Sequence, residues 1–301
     1  MSDMEEVKEN VIGLCKHHPM LKHQPTDGLV QEFFEKSKEM AESYETLTEE
    51  HDDTTWMKMV DNIRYEVNKP VHDVTMPLIL FLMNVHNKPH TFYVSRHGQS
   101  QYNLEGKIGG DSDLTNNGEL YAKKLAVFAD KVMSKDDFGR PAPCRLWTST
   151  LVRTNSTVKY IKQKVLEIDD GLTGRPKQWV NFCHKQFRNL DEIFAGECDG
   201  LTYKEIQERF PHEFARRQKN KLAYRYPCGE SYLDLIHRLH TIVLEMERLR
   251  ENLLIVGHQA VIRMILAYWT DINRDEASNI SVPLNTVIKI TTHPFDSKVE
   301  D

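Results

Sequence analysis

The sequence holds few cysteines, and they form no pattern. Five occur in 301 residues. They are Cys15, Cys144, Cys183, Cys198 and Cys228, odd in number and widely spaced. No C-x-x-C is present, which argues against a zinc ribbon or a thioredoxin-type redox site. A reducing compartment is the simpler setting. Long apolar runs are absent too. The longest, Met76 to Val85, is about ten residues and contains a proline, where a membrane span needs about 20. It is expected to form a buried strand or a short helix. The acidic first ten residues contain no apolar segment of the secretory type, so a cytoplasmic location without a membrane partner is expected. No tract of basic residues occurs. Lys and Arg total 39 against 45 Asp and Glu, for a formal charge of −6. A general nucleic-acid partner is therefore not expected. Internal repeats, low-complexity tracts and H-E-x-x-H are missing. So is the phosphate-cradling P-loop, G-x-x-x-x-G-K-[ST]. The one Gly-Lys pair, Gly106-Lys107, is followed by Ile108.

What is present changes character near residue 90. Residues 1–55 are polar, with one amphipathic helix expected over Gly28 to Tyr44. Residues 56–69 alternate loosely (Met57, Met59, Ile63, Tyr65, Val67) and predict a strand. Beyond Lys88-Pro89 the rhythm is strand, loop, helix, repeated. Strands are predicted over Thr91–Ser95, Arg145–Thr148, Leu253–Val256 and Thr286–Thr291. Helices are predicted from Thr115 to about Met133, after Thr148 through Tyr160, from a capping box at Thr202 and Glu205, from Ser231 to about Arg250, and over Gln259–Trp269. This alternation indicates an α/β layered domain with a mostly parallel sheet.

Two histidines sit just past predicted strands: His97 in Arg96-His97-Gly98, and His258 after Gly257. Open α/β sheets bind ligands beyond the carboxyl ends of their strands. The two are thus candidates for one pocket. Zinc competes for paired histidines, but a neighbouring arginine would repel the cation. Arginine instead matches phosphate with a planar fork and a permanent charge, and Arg153 supplies a second one. Two imidazoles and two arginines suit a phosphoryl pocket in which a histidine is the nucleophile. The basic stretch Arg216 to Lys221 reads on its own as a solvated helix face.

Taken in order, the motifs resemble a known family. Ser95-Arg-His-Gly-Gln-Ser-Gln-Tyr-Asn103 resembles the R-H-G signature of the histidine phosphatase superfamily. Gly106-Lys-Ile-Gly-Gly-Asp-Ser112, Trp147-Thr-Ser-Thr-Leu-Val-Arg-Thr154, Leu190-Asp-Glu-Ile193, Thr202-Tyr-Lys-Glu-Ile-Gln-Glu208, Tyr224-Arg-Tyr-Pro-Cys-Gly-Glu-Ser-Tyr232 and Gly257-His-Gln-Ala-Val-Ile-Arg263 narrow it. Together they resemble the fructose-2,6-bisphosphatase half of the bifunctional 6-phosphofructo-2-kinase/fructose-2,6-bisphosphatase family. The similarity runs over residues 90–293, with an insertion near Lys135–Pro143. It implies the three-layer α/β/α phosphoglycerate mutase-like fold over 90–301. It implies hydrolysis of fructose 2,6-bisphosphate through a phosphohistidine, with no metal or other cofactor. His97 is then the nucleophile. Arg96, Arg153, Asn103 and His258 hold the phosphoryl group, and Glu192 is the proton donor. Gly109, Tyr203, Arg217, Lys221, Tyr232, Gln259 and Arg263 bind the sugar and its 6-phosphate. Two departures stand out. Gln99 occupies a position where the family commonly has glutamate, which lowers the pull towards a protonated imidazole. Gly257 replaces a frequent cysteine, with an effect expected on packing only. Residues 1–89 resemble the end of the kinase half. Without a P-loop no kinase activity is expected of them; they are expected to pack on the phosphatase or to pair two copies of the chain as a homodimer. Another enzyme of the superfamily, such as a phosphoglycerate mutase or a broad sugar-phosphate phosphatase, shares the catalytic core. A silent sugar-phosphate-binding module is the alternative outside catalysis.

Overall fold

The computed structural model of the chain describes residues 8, 11–12, 26–48, 53–60, 64–70, 75–84, 90–135, 139, 141–169, 176–249, 251–270, 272–273, 275–293 and 296–300. It divides into two units, Met1–Pro89 with Thr292–Ser297, and His90–Thr291 with Lys298–Asp301. In the first, helix α1 (Thr26–Glu42) covers the expected amphipathic segment. Strands β1 (Trp56–Val60) and β2 (Arg64–Asn68) pair antiparallel, with Met57 opposite Val67 and Met59 opposite Tyr65. The single strand expected over 56–69 is thus two. Met57, Met59, Tyr65 and Val67 all fall on odd positions, so periodicity alone could not divide it. The run from Met76 forms helix α2 (Thr75–Asn84). Pro77 lies in its first turn, where the missing N–H breaks no helical bond.

The second unit starts with β3 (His90–Arg96), α3 (Gln101–Glu105) and α4 (Asn116–Phe128). It continues through β4 (Cys144–Thr148), α5 (Val152–Val158), β5 (Lys164–Asp169), β6 (Pro176–Asn181) and β7 (Cys183–Gln186). Helices α6 (Tyr203–Arg209), α7 (Pro211–Lys219) and α8 (Tyr232–Arg248) follow, then β8 (Asn252–Gly257) and α9 (Gln259–Trp269), and last β9 (Val287–His293) and β10 (Asp296–Glu300), each of which includes residues of both units. Six strands make one sheet in the order β10-β9-β3-β8-β4-β7. The pairs β3–β8, β8–β4 and β4–β7 are parallel.

Strand periodicity splits the core into two layers. Phe92, Val94, Trp147, Leu253 and Ile255 pack on one face with Leu235, Leu239, Ile262 and Ile265 of α8 and α9. Tyr93, Leu146, Leu254 and Val256 pack on the other with Tyr121 and Leu125 of α4. The result is helix on sheet on helix. Helix starts follow their caps: Thr115 accepts from Gly118 N, and Thr202/Glu205 and Ser231/Asp234 form complete capping boxes. The helix expected to Met133 ends at Phe128 and widens into a π turn over Ala129–Met133, which keeps both Ala129 and Met133 buried. The pair β5–β6 and the edge strand β7 have no counterpart in the sequence reading. β7 reads Cys-His-Lys-Gln, so no apolar alternation announces it; it is held by backbone pairing to β4.

The register decides where the chemistry lies. Arg96 is opposite Gly257 and Thr148 opposite Val256. The next residues, His97, His258 and Ser149, therefore leave neighbouring strand ends together, and the His97 amide donates to the Gly257 carbonyl at 3.0 Å. The two glycines differ in room. A Cβ on Gly98 would lie 2.7 Å from the Gly118 carbonyl oxygen and 2.9 Å from its Cα, whereas one on Gly257 meets nothing nearer than Val261 Cγ1 at 3.8 Å. Gly98→Ala is expected to lose about 1–3 kcal/mol through overpacking against backbone. Gly257→Ala is expected to stay within about 1 kcal/mol of the parent. Urea unfolding of the two variants checks this; equal midpoints would contradict the packing described.

Candidate active site

His97 is 4% exposed and His258 is fully buried, their rings 5.2 Å apart and inclined at 56°. His97 Nδ1 lies 2.7 Å from the Gly98 carbonyl oxygen. A carbonyl only accepts, so Nδ1 carries the hydrogen and Nε2 holds a free lone pair. Burial, then Arg153 and Arg96, press the His97 pKa down to about 3 against the opposing pull of the Gly98 bond. Burial and Arg153 likewise hold His258 well below the ordinary histidine value. Both imidazoles are neutral near pH 7. Ser149 Oγ shares hydrogen bonds with His258 Nε2 at 2.7 Å and with Thr154 Oγ1 at 2.8 Å, and accepts from Leu151 N. His258 Nδ1 is buried with no hydrogen-bond partner among the described residues.

The arginines are held by backbone. Arg96 Nη1 donates to Val282 O at 2.9 Å, and Arg153 Nη1 to Gly110 O at 2.5 Å. Burial lowers the pKa of each, and for Arg96 the neighbouring Arg263 and Arg153 add to the fall. Glu192 draws both the other way. Its Oε1 accepts from Ile193 N at 3.0 Å and from Ala260 N, in the first turn of α9, at 3.2 Å. The described residues give Oε2 no hydrogen bond.

A second group of cations stands on tyrosines and on the segment 278–282, which leaves a 3-10 turn at Ala277–Asn279. Arg217 donates from Nε to Tyr226 at 2.8 Å and from Nη2 to Tyr203 at 3.0 Å, with its guanidinium 4.9 Å from the Tyr203 ring centre. Arg263 donates from Nε to Ile280 O at 2.7 Å and from Nη1 to Tyr232 at 3.0 Å. Lys221 Nζ donates to Ser278 O at 2.6 Å and Asn279 Oδ1 at 3.1 Å. Burial, then Arg263 and Arg217, lower its pKa to about 8. The alternate carbonyls of Ser278, Ile280 and Val282 thus carry Lys221, Arg263 and Arg96 in turn.

One pocket is lined by Arg96, His97, Asn103, Gly109, Arg153, Glu192, Tyr203, Arg217, Tyr232, Gln259 and Arg263. Two expected residues lie off its wall. His258 sits behind His97, and Lys221 is turned to the 278–279 carbonyl and amide oxygens. Asn103 also closes the α3 capping box by accepting from Ser100 N, which leaves its amide hydrogens free. Gly109 has φ +68, and any Cβ there would overlap the Asp199 carboxylate. The basic stretch expected to be a solvated face is divided: Arg216 pairs with Glu213 at the surface, while Arg217, one position on, turns into the pocket. Gln99 Oε1 accepts from Thr115 Oγ1 at 3.0 Å, which ties it to the start of α4. Ser149 and Tyr226 were not singled out from sequence. Each lies inside a quoted motif, yet their roles depend on side chains distant in the chain. Among the described residues no group of His, Cys, Asp and Glu has the spacing to hold a metal ion, and no helix is long and apolar enough to cross a membrane.

The profile of the histidine phosphatase superfamily (branch 1) matches residues 92–175 and 180–300. The chain is 35% identical over 300 residues to 6-phosphofructo-2-kinase/fructose-2,6-bisphosphatase 4 of Rattus norvegicus, an alignment covering 99% of this chain and 58% of that one. It is 38% identical over 270 residues to the fructose-2,6-bisphosphatase of Saccharomyces cerevisiae, covering 89% of this chain and 54% of the other. It therefore spans a little over half the length of these relatives. Among solved structures, Bacillus stearothermophilus YhfR superposes with a TM-score of 0.55 at 24% identity, over 70% of this chain and 95% of that one. The alpha-ribazole phosphatase from Shigella flexneri gives 0.55 at 17% identity, over 70% and 94%. These two share the fold. Profile, relatives and fold agree with the strand-end histidines and arginines: the chain belongs to the histidine phosphatase superfamily, branch 1.

Proposed function

We propose that the chain hydrolyses fructose 2,6-bisphosphate to fructose 6-phosphate and phosphate through a phosphohistidine. The observation that carries this is the free Nε2 lone pair of a neutral His97 between Arg96 and Arg153. In the first step, which starts from the protonated carboxyl of Glu192 in the substrate complex, His97 Nε2 forms a bond to the 2-phosphorus, the bond from phosphorus to the sugar oxygen breaks, and Glu192 Oε2 delivers its proton to that oxygen. In the second, Glu192 takes a proton from water, whose oxygen attacks phosphorus as the P–N bond breaks. Arg96 and Arg153 neutralise the equatorial oxygens, where charge is spread in the transition state. Asn103 offers its amide hydrogens to the same group. The orphaned Nδ1 of His258 supports a donor role toward a phosphoryl oxygen. That role requires Ser149 to donate its hydrogen to His258 Nε2, which it does when it accepts from Leu151 N and from Thr154 Oγ1. No step calls for a metal, since the guanidinium groups supply the positive charge.

The second cluster supports the choice of a bisphosphorylated sugar. Arg217 and Arg263, with Tyr203, Tyr232, Gln259 and Gly109 on the same wall, receive the sugar and its 6-phosphate. Lys221 acts from behind, through charge and through the segment it shares with Arg263. Residues 1–89 correspond, in this reading, to the end of a kinase half, supported by an alignment to the rat enzyme that runs through them.

Incubation with fructose 2,6-bisphosphate labelled at the 2-phosphate, without added metal, is expected to give an acid-labile phosphoprotein. His97→Ala abolishes it; labelling that survives that change, or no labelling of the parent, contradicts the mechanism. Arg217→Ala is expected to raise KM by about 10- to 100-fold, with kcat within a few fold, because its contact is made equally in ground and transition states. A loss confined to kcat would remove Arg217 from the 6-phosphate site.

A further inference from the structure

Glu192 lies in a loop with one short 3-10 turn, Arg188–Leu190, and no strand pairing of its own. A proton donor on such a segment needs an external support, because a displacement of about 1 Å can cost 10²-fold in rate. The support comes from helix α8. All three nitrogens of the Arg238 guanidinium are engaged. Nη1 donates to Asn189 O at 2.6 Å. Nη2 donates to Asp191 O at 2.7 Å and to Glu192 O at 3.2 Å. Nε donates to Glu230 Oε1 at 2.8 Å, and Nη2 also reaches Glu230 Oε2 at 3.1 Å. Glu230 closes the other side, its Oε2 accepting from Phe194 N at 2.9 Å. The ion pair therefore brackets residues 189–194, and one of its bonds falls on the backbone of Glu192 itself. Both partners are mostly buried, with side chains 18% and 26% exposed, so the pair is poorly screened and fixed in geometry.

We propose that Arg238 and Glu230 are positioning residues for the proton donor. They hold the 189–194 loop so that Glu192 Oε1 stays pinned between Ile193 N and Ala260 N while Oε2 faces the leaving oxygen. Arg238 is absent from the wall of the His97 pocket; it lines a neighbouring cavity that shares Gly109, Glu192 and Ile193 with that pocket, and its hydrogen bonds reach the site through the loop. The inference rests on the reading of Glu192 as acid and base.

A double-mutant cycle on single-turnover phosphoenzyme formation from fructose 2,6-bisphosphate tests it. Glu192→Gln slows this step by removing the proton. Arg238→Gln is expected to slow it by about 10- to 100-fold with KM within about twofold, because the phosphate clamps are untouched. The double variant is expected to be no slower than Glu192→Gln alone, since a lost proton cannot be misplaced. Glu230→Gln, which keeps the side-chain shape, gives the same non-additive pattern with a smaller loss and serves if Arg238→Gln does not fold. Losses that multiply in the double variant would show a general structural role and overturn the inference. So would Arg238→Gln and Glu230→Gln variants that both fold and react at the parent rate. If Glu192→Gln itself leaves the step unchanged, the assignment of Glu192 falls first, which separates the two failures.

Discussion

The constraint on which this structure turns is the burial of two guanidinium groups beside two uncharged imidazoles. Arg96 and Arg153 cannot lose their protons, so each keeps a full charge in a site where a charge is costly. The nearby anions only partly offset this: Glu192 acts on both arginines, and Asp111 stands 3.9 Å from Arg153. Burial drives His97 and His258 below their ordinary pKa, and the surplus positive charge adds to the fall. That surplus also leaves the pocket short of an anion, and a phosphoryl group supplies one. The same field thus helps burial keep the nucleophile unprotonated and prepares the place where phosphate charge will sit.

The fold holds this arrangement with backbone. Carbonyl oxygens of Gly110, Ser278, Ile280 and Val282 accept from Arg153, Lys221, Arg263 and Arg96. A carbonyl dipole orients a cation without neutralising it, so the arginines stay available to a ligand. A carboxylate in its place would compete with phosphate. Carboxylates are used where orientation alone matters, as at Glu230 on Arg238. The sheet contributes the register: with Arg96 opposite Gly257, the chain has no freedom to separate His97 from His258.

Much of the site was legible in the sequence because it lies at strand ends. Apolar runs such as Leu253–Val256 fix a buried strand, and the residue after it inherits a place at the sheet's carboxyl edge. That argument alone placed His97 and His258 together. Arg217 was different. Its neighbours Arg216 and Lys219 are solvated, and the three look alike in a helix of mixed charge; only the ordered resemblance singled it out, and only the tyrosines show why it points inward. The carbonyl supports left no trace, because backbone acceptors have no residue signature. Arg238 carried no signal in the sequence for the same reason: its partners include the carbonyls of a loop far away in the chain. β7 escaped because its four residues carry no apolar alternation.

The account stands on a neutral His97 with its hydrogen on Nδ1. Imidazole-ring ¹H–¹⁵N correlation spectra of histidine-labelled protein, with His97 assigned by its loss in His97→Gln, measure this directly. The account predicts an Nδ1–H, Nε2-free tautomer whose shifts hold steady from about pH 5 to about pH 8. A His97 resonance that titrates near the ordinary histidine value, or that carries its hydrogen on Nε2, would contradict it.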